Sequence, residues 1–177
     1  MPGTAPGGDA RPLRLVLDWG PRLSLHVTNL GLACCAVEFV AASVASPGLL
    51  PHRGTGGPGR EELAVLVVSG TVSDKMAPLV VRLHDQLPEP RAVLSFGACA
   101  NSGGPYWDSY CVTKGVDQLL PVDVWVPGCP PRPEALVEGL RVLLEQRWGP
   151  PPGAAPVSGS APLLLATGPE DLQRTLP

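Results

Sequence analysis

The chain has 177 residues, of which 44% are hydrophobic and 16% charged, and its formal net charge is −3 at pH 7. This length suits one domain with a substantial core. A small negative charge without a basic stripe argues against a nucleic-acid-binding protein, so we expect no nucleic acid partner.

The N-terminal stretch, MPGTAPGGDARPLR, has no apolar run after its start, which argues against a secretory signal. We predict a flexible leader over residues 1–17 and a reducing, cytoplasmic environment. The cysteines number five, and an odd count in such an environment does not predict a disulfide framework. Metal ligands, catalytic thiols and plain buried thiols remain as the alternatives.

The stretch GLACCAVEF (31–39) places Cys34 and Cys35 side by side in an apolar segment. The apolar stretch continues to residue 50 and approaches the length of a membrane span, but Glu38 and Pro47 interrupt it. We therefore predict a buried or interfacial helix in place of a span.

The next loop, GTGGPGR (54–60), matches the glycine spacing of a dinucleotide-binding loop. That fingerprint follows a strand and opens a helix, whereas this loop precedes a strand. We therefore do not predict nucleotide binding here.

Strand-like patterns recur in the segment that follows. Continuous apolar runs predict buried strands at 63–70, 91–99 and 122–129. A helix is predicted from Ser73 or Asp74 to about Leu87, where prolines follow.

A second helix is predicted over 132–147, with four leucines on one face: Leu136, Leu140, Leu143 and Leu144. The alternation predicts an α/β fold with a mainly parallel sheet and flanking helices. The predicted domain covers 18–148, and a Pro/Gly/Ala-rich linker and tail occupy 149–177.

Two of the predicted strands lead to a cysteine, in SFGAC (Cys99) and WVPGC (Cys129). The carboxyl ends of parallel strands share one edge of the sheet, where open α/β sheets build their sites. Gly97 and Gly128 precede the thiols and would let the backbone come close and direct amide N–H groups at sulfur.

With Cys34 and Cys35, these thiols give four candidate metal ligands that suit either a [4Fe–4S] cluster or zinc. No C-x₂₋₄-C knuckle typical of structural zinc is present. Adjacent thiolates are easier to accommodate on separate corners of a cube, which favours the cluster. The alternative is that each cysteine is a small buried hydrophobe, and for Cys111 we prefer that interpretation.

The cysteine pair, GACANSGG and PVDVWVPGCPP together resemble the B-type subunit of proton-pumping NADH–quinone oxidoreductase, respiratory complex I. This family is related to the small subunits of nickel–iron hydrogenases. The resemblance covers about residues 18–145. It implies a flavodoxin-like domain that binds one terminal [4Fe–4S] cluster through Cys34, Cys35, Cys99 and Cys129 and passes electrons to quinone.

The resemblance also implies partners and a location. The partners are a hydrogenase-like large subunit, with which a quinone pocket is shared, and other subunits of the complex. The location is peripheral, at the cytoplasmic face of the cell membrane. NADH is oxidised elsewhere in such a complex, so no activity is expected of the isolated chain.

Four further residues resemble functional positions of the family. Glu38 and Asp123 match carboxylates linked to protonation near the cluster, although Glu38 could pair with a partner's arginine and Asp123 could satisfy buried backbone. Lys75 and Met76 resemble the segment near the quinone pocket, and Met76 could equally be a core residue.

The sequence departs from the family at PHRGTGGPGREE (51–62) and at PYWDSYC (105–111), where other residues are typical. Two alternative functions therefore remain at this point. One is the small subunit of an energy-converting, hydrogenase-like complex, and the other is a structural zinc-binding module.

Overall fold

The computed structural model describes residues 13–19, 23–45 and 61–148. Five strands and four α-helices lie in this part of the chain. In chain order they are β1 (Leu13–Trp19), β2 (Leu23–Gly31), α1 (Ala33–Ala45), β3 (Glu61–Ser69), α2 (Ala77–Asp85), β4 (Arg91–Phe96), α3 (Ala98–Ser102), β5 (Val124–Val126) and α4 (Pro133–Trp148).

The strands form one sheet in the order β1-β2-β3-β4-β5. β1 is antiparallel to β2, whereas β2 to β5 run parallel to one another. Parallel neighbours need a crossover connection, which includes α1 between β2 and β3 and α2 between β3 and β4. The predicted α/β class with a mainly parallel sheet is confirmed.

β3 is the centre of the sheet and is buried on both faces. Residues 63–69 are all buried, as the continuous apolar run predicts. On one face Leu63, Val65 and Val67 belong to a core cluster with residues of α1 and α4. On the other face Leu66 and Val68 pack with α2 and the segment after α3. The sheet thus separates two apolar layers.

The predicted helix over 132–147 is confirmed as α4, whose four predicted leucines are buried. The predicted start of α2 is wrong. Ser73 does not cap the helix with its side chain; its carbonyl accepts hydrogen bonds from Met76 N and Ala77 N (2.8 and 3.0 Å), which makes a separate turn. The helix begins at Ala77, and the proline at 78 is compatible with its first turn.

The predicted helix within 31–50 is α1, and residues 46–50 lie outside the described residues. Among the helices that the structure describes, none has both the length and the apolar character needed to cross a membrane. β1 includes residues 13–17 of the predicted leader. The rest of that leader, the loop at 51–60 and the tail at 149–177 lie outside the described residues.

Candidate metal centre

The vicinal cysteines lie in the first turn of α1, directly after β2. Cys34 is exposed and Cys35 is buried. The residue before them, Ala33, has a φ of +52°, a left-handed conformation that residues with a side chain seldom adopt. Leu32 N donates to Ser69 O (2.8 Å), which ties the turn to the end of β3. The cysteine pair is therefore held by a tight, strained connection at the carboxyl edge of the sheet.

The other two candidate ligands follow the neighbouring strand ends. β4 ends at Phe96 and β5 at Val126, and each is followed three residues later by its thiol. Cys99 is buried in the first turn of α3, whereas Cys129 is exposed in the connection to α4. β4 ends three residues before the predicted end at 99, and β5 covers only three of the eight residues predicted at 122–129. Both cysteines nevertheless lie beyond carboxyl ends at the expected edge.

Gly97 is the point at which the three connections meet. It has a φ of +99°, and a Cβ atom at this position would lie 2.6 Å from Cys35 Sγ and 3.5 Å from Pro131 Cδ. A sulfur atom cannot approach a carbon so closely without displacement. Glycine is therefore required here both by the backbone conformation and by the approach of the Cys35 thiol.

The connections that carry Cys99 and Cys129 are joined by backbone hydrogen bonds. Gly97 N donates to Val126 O (2.9 Å) and Ala98 N donates to Gly128 O (2.7 Å). The amide of Gly97 itself is not directed at a sulfur atom, because a carbonyl of the neighbouring strand accepts its hydrogen bond. The glycine instead fixes one thiol-bearing turn against the other.

The pKa of Cys35 reflects burial first and the neighbouring thiols second. Burial first, then the charge and hydrogen bond of Cys34, and then the charges of Cys99 and Cys129 raise the pKa of Cys35 to about 12. In the absence of metal this thiol is protonated at neutral pH. A bound cation reverses that preference, because metal binding displaces the proton from a thiol ligand.

Two residues near Cys99 were not singled out from the sequence. Gly104 has a φ of +54°, and a Cβ atom there would lie 2.9 Å from Cys99 Sγ. Asn101 donates from Nδ2 to Val126 O (3.1 Å) and so bridges α3 to β5. The glycines of GACANSGG indicate a tightly turned backbone, but the sequence does not indicate the contacts that Gly104 and Asn101 make.

Cys111 does not lie with the other thiols. It is exposed, and its Sγ lies 3.3 Å from Ser109 Oγ. Its segment pairs with the turn after β3 through the Ser73–Val112 bridge. The thiols that act on Cys35 are Cys34, Cys99 and Cys129.

Asp123 lies at the opposite edge of the sheet from the thiols, immediately before β5. Its Oδ2 accepts from Val93 N (2.8 Å) and its Oδ1 from Arg147 (3.0 Å). Of the two interpretations of this carboxylate, satisfaction of backbone is the one that its contacts match. Glu38, the other carboxylate, is partly buried on α1, one helical turn after Cys34.

The two residues that resemble the quinone-pocket segment, Lys75 and Met76, differ in burial. Met76 is partly buried against the second core cluster, whereas Lys75 is exposed. The packing of Met76 therefore matches the interpretation of this residue as part of the core.

Within residues 25–45 and 61–148, no group of three His, Cys, Asp or Glu side chains is arranged to hold a single metal ion. An iron–sulfur cube takes one thiolate on each of four iron atoms. Four thiols from three connections are a donor set of that kind.

Comparisons with known proteins identify the family. Residues 25–143 match the family described as NADH ubiquinone oxidoreductase, 20 Kd subunit. A B-type subunit of NADH-quinone oxidoreductase from Streptomyces griseus is 59% identical over 140 residues, covering 76% of this chain and 58% of the relative. A B-type subunit from Salinispora tropica is 61% identical over 140 residues, covering 76% of this chain and 72% of the relative.

A solved structure is also similar. A chain of the membrane-bound sulfane sulfur reductase, an archaeal respiratory membrane complex, superposes with a TM-score of 0.53 at 27% sequence identity, covering 71% of this chain and 69% of that chain. The family matched in sequence and the fold matched in space are those that the cysteine motifs indicate. The chain belongs to the family of the 20 kDa, B-type subunit of NADH–quinone oxidoreductase.

Proposed function

We propose that this chain is the electron-transfer subunit of an NADH:quinone oxidoreductase and holds one [4Fe–4S] cluster through Cys34, Cys35, Cys99 and Cys129. The observation that carries the proposal is the meeting of three thiol-bearing connections at Gly97. A Cβ atom added at Gly97 would lie 2.6 Å from Cys35 Sγ, and Cys34, Cys99 and Cys129 each raise the pKa of Cys35.

The chain's own contribution is to hold and shield the sulfur ligands. A cluster in this position would accept and release one electron at a time, at a potential set by burial and by hydrogen bonds to sulfur. Cys35 and Cys99 are buried and keep water from one side of the site. The first turn of α1 places Cys34 and Cys35 at the positive end of its helix dipole.

The other side of the site is open toward a partner. Cys34 and Cys129 are exposed, and the face of α1 beyond Cys34 exposes three valines: Val37, Val40 and Val44. An apolar patch beside a redox site is typical of a surface that another subunit covers. We assign this face to the hydrogenase-like large subunit, with quinone bound at the shared interface.

The remaining features of the proposal follow the family. Other subunits of the complex deliver electrons from NADH, and this chain lies peripherally at the cytoplasmic face of the cell membrane. We expect no turnover from the isolated chain, because the NADH site and part of the quinone site then belong to its partners.

A second candidate function is the equivalent subunit of a related respiratory or hydrogenase-like complex with a different terminal acceptor. The similarity to a chain of the sulfane sulfur reductase favours it. The higher identity to the NADH-quinone oxidoreductase relatives favours the first candidate.

Anaerobic purification of the chain with its native partner subunits tests the proposal. We expect roughly four irons in this chain, broad visible absorbance and an EPR signal on reduction. Quinone-dependent NADH oxidation by the complex would identify the acceptor. A colourless chain with a single zinc ion would overturn the cluster, and a complex that holds the cluster but reduces sulfane sulfur would favour the second candidate.

A further inference from the structure

Asn101 lies on α3, two residues after Cys99, and its side chain contacts both strands that lead to single thiols. Its Oδ1 accepts from Ser95 Oγ on β4 (2.6 Å), and its Nδ2 donates to Val126 O at the end of β5 (3.1 Å). Its backbone N donates to Gly97 O (3.0 Å), which closes the first turn of α3. One residue therefore links the end of β4, the helix of Cys99 and the start of the Cys129 connection.

The position requires an amide. Ser95 is fully buried, so its hydroxyl depends on a protein acceptor. The Val126 carbonyl receives Asn101 Nδ2 in addition to Gly97 N, which uses both of its lone pairs. The asparagine amide both donates, through Nδ2, and accepts, through Oδ1. The carboxylate of aspartate lacks the donor, and leucine lacks both groups.

The two connections have no other side-chain bridge of this kind among the residues that the structure describes. Besides Asn101, the hydrogen bonds that join them are those of the backbone at Gly97 and Ala98. Loss of the amide would leave Cys99 and Cys129 attached to strands that can shift relative to one another at their ends.

We propose that Asn101 is a positioning residue that fixes the separation between Cys99 and Cys129 and thereby tunes the metal centre that they share. This inference rests on the proposed function. Asn101 acts through the two thiol-bearing connections and is not itself a ligand.

The test compares three variants of the full chain, purified with its partner subunits. Asn101→Ala removes both side-chain hydrogen bonds, and Ser95→Ala removes one of them. Ser102→Ala is the matched control, because Ser102 is the next residue of α3 and its hydroxyl bonds only within that helix, to Ala98 O (3.3 Å).

For Asn101→Ala we expect iron to be retained on purification, but with an altered EPR signal and an upward shift of the midpoint potential. Looser connections admit water, which stabilises the more negative reduced state. Release of iron to a chelator should be about fivefold faster than in the wild type, the effect of losing roughly one net hydrogen bond. Ser95→Ala should give a smaller change in the same direction, and Ser102→Ala none.

The outcomes separate the inference from the function on which it rests. A wild-type chain without iron overturns both. A wild-type chain with the cluster, and an Asn101→Ala variant that is less stable to heat but has an unchanged EPR signal and potential, overturns the inference alone. If Asn101→Ala does not fold, the EPR signal and potential of Ser95→Ala decide, and values equal to those of Ser102→Ala overturn the inference.

Discussion

The two edges of the parallel sheet are built from different kinds of residue. At the carboxyl edge the chain places thiols, small residues and left-handed backbone, including Ala33 and Gly97. At the amino edge it places charged and aromatic side chains that fasten one element to another. The same four parallel strands, β2 to β5, connect both edges.

The amino edge is held by side-chain contacts near the end of α4. Arg147 donates to Asp123 Oδ1 (3.0 Å) and to Arg91 O (3.1 Å). Trp148 Nε1 donates to Glu61 Oε2 (2.8 Å) at the start of β3. A helix that follows a parallel strand runs back across the sheet, so the C-terminus of α4 necessarily reaches this edge.

This division implies that stability and the candidate redox site depend on different sets of contacts. Charged and aromatic side chains fasten elements at the amino edge, whereas at the carboxyl edge the backbone is held in strained conformations that leave room for sulfur. Substitutions at the amino edge should therefore lower stability without loss of metal, whereas substitutions at the carboxyl edge should lose metal.

The largest effect is expected at the thiols themselves. Cys99→Ser or Cys129→Ser should lose nearly all bound iron and visible absorbance, because a serine hydroxyl is a poor replacement for a thiolate on iron. Metal analysis after anaerobic purification measures the loss. Cys111→Ser is the control and should retain its iron; an equal loss there would show that the ligand assignment is wrong.

The next largest effect is expected at Gly97, where the backbone makes room for Cys35. Gly97→Ala combines a left-handed φ with a methyl group 2.6 Å from Cys35 Sγ. We expect most of the iron to be lost and the free energy of unfolding to fall by about 1–3 kcal/mol. Gly31→Ala, whose nearest contacts are at 3.0 Å and whose φ is not left-handed, should have a smaller effect on both; the reverse order would contradict the packing argument.

Asp123→Ala tests the amino edge. It removes the acceptor of Val93 N and the partner of Arg147, and we expect the free energy of unfolding to fall by about 1–3 kcal/mol because a backbone donor loses its partner. Denaturant titration measures the loss, and the iron content of the folded protein should be unchanged. Asp123→Asn keeps an acceptor for Val93 N and should be less destabilised. Loss of iron without loss of stability would show that the edges are not independent.

The smallest effect is expected for Trp148→Phe, which keeps an aromatic ring but removes the hydrogen bond to Glu61. We expect a loss of roughly 0.5–1 kcal/mol in the free energy of unfolding, because Trp148 is exposed and water replaces part of the interaction. The EPR signal should match the wild type. A changed signal would mean that α4 transmits strain across the sheet to the thiol edge.

Individual elements show which parts of the fold the sequence pattern predicts. The apolar run of β3 and the four leucines of α4 predict their elements closely, because complete burial and a one-sided helix each leave a clear pattern. β1 and β2 were not predicted, although LSLHVTNL alternates in polarity as a strand with two different faces does. The start of α2 was misplaced because Ser73, a good helix cap, uses its carbonyl in a turn instead.

The sequence by itself determined the family, the parallel α/β class and the candidate set of four thiols, since these follow from motifs and local periodicity. Only the tertiary structure decided that Gly97 faces Cys35, that Asn101 bridges β4 and β5, and that Asp123 lies at the edge away from the thiols. These are contacts between segments distant in the chain, and they depend on how strands align in the sheet, which the order of residues within any one segment does not encode.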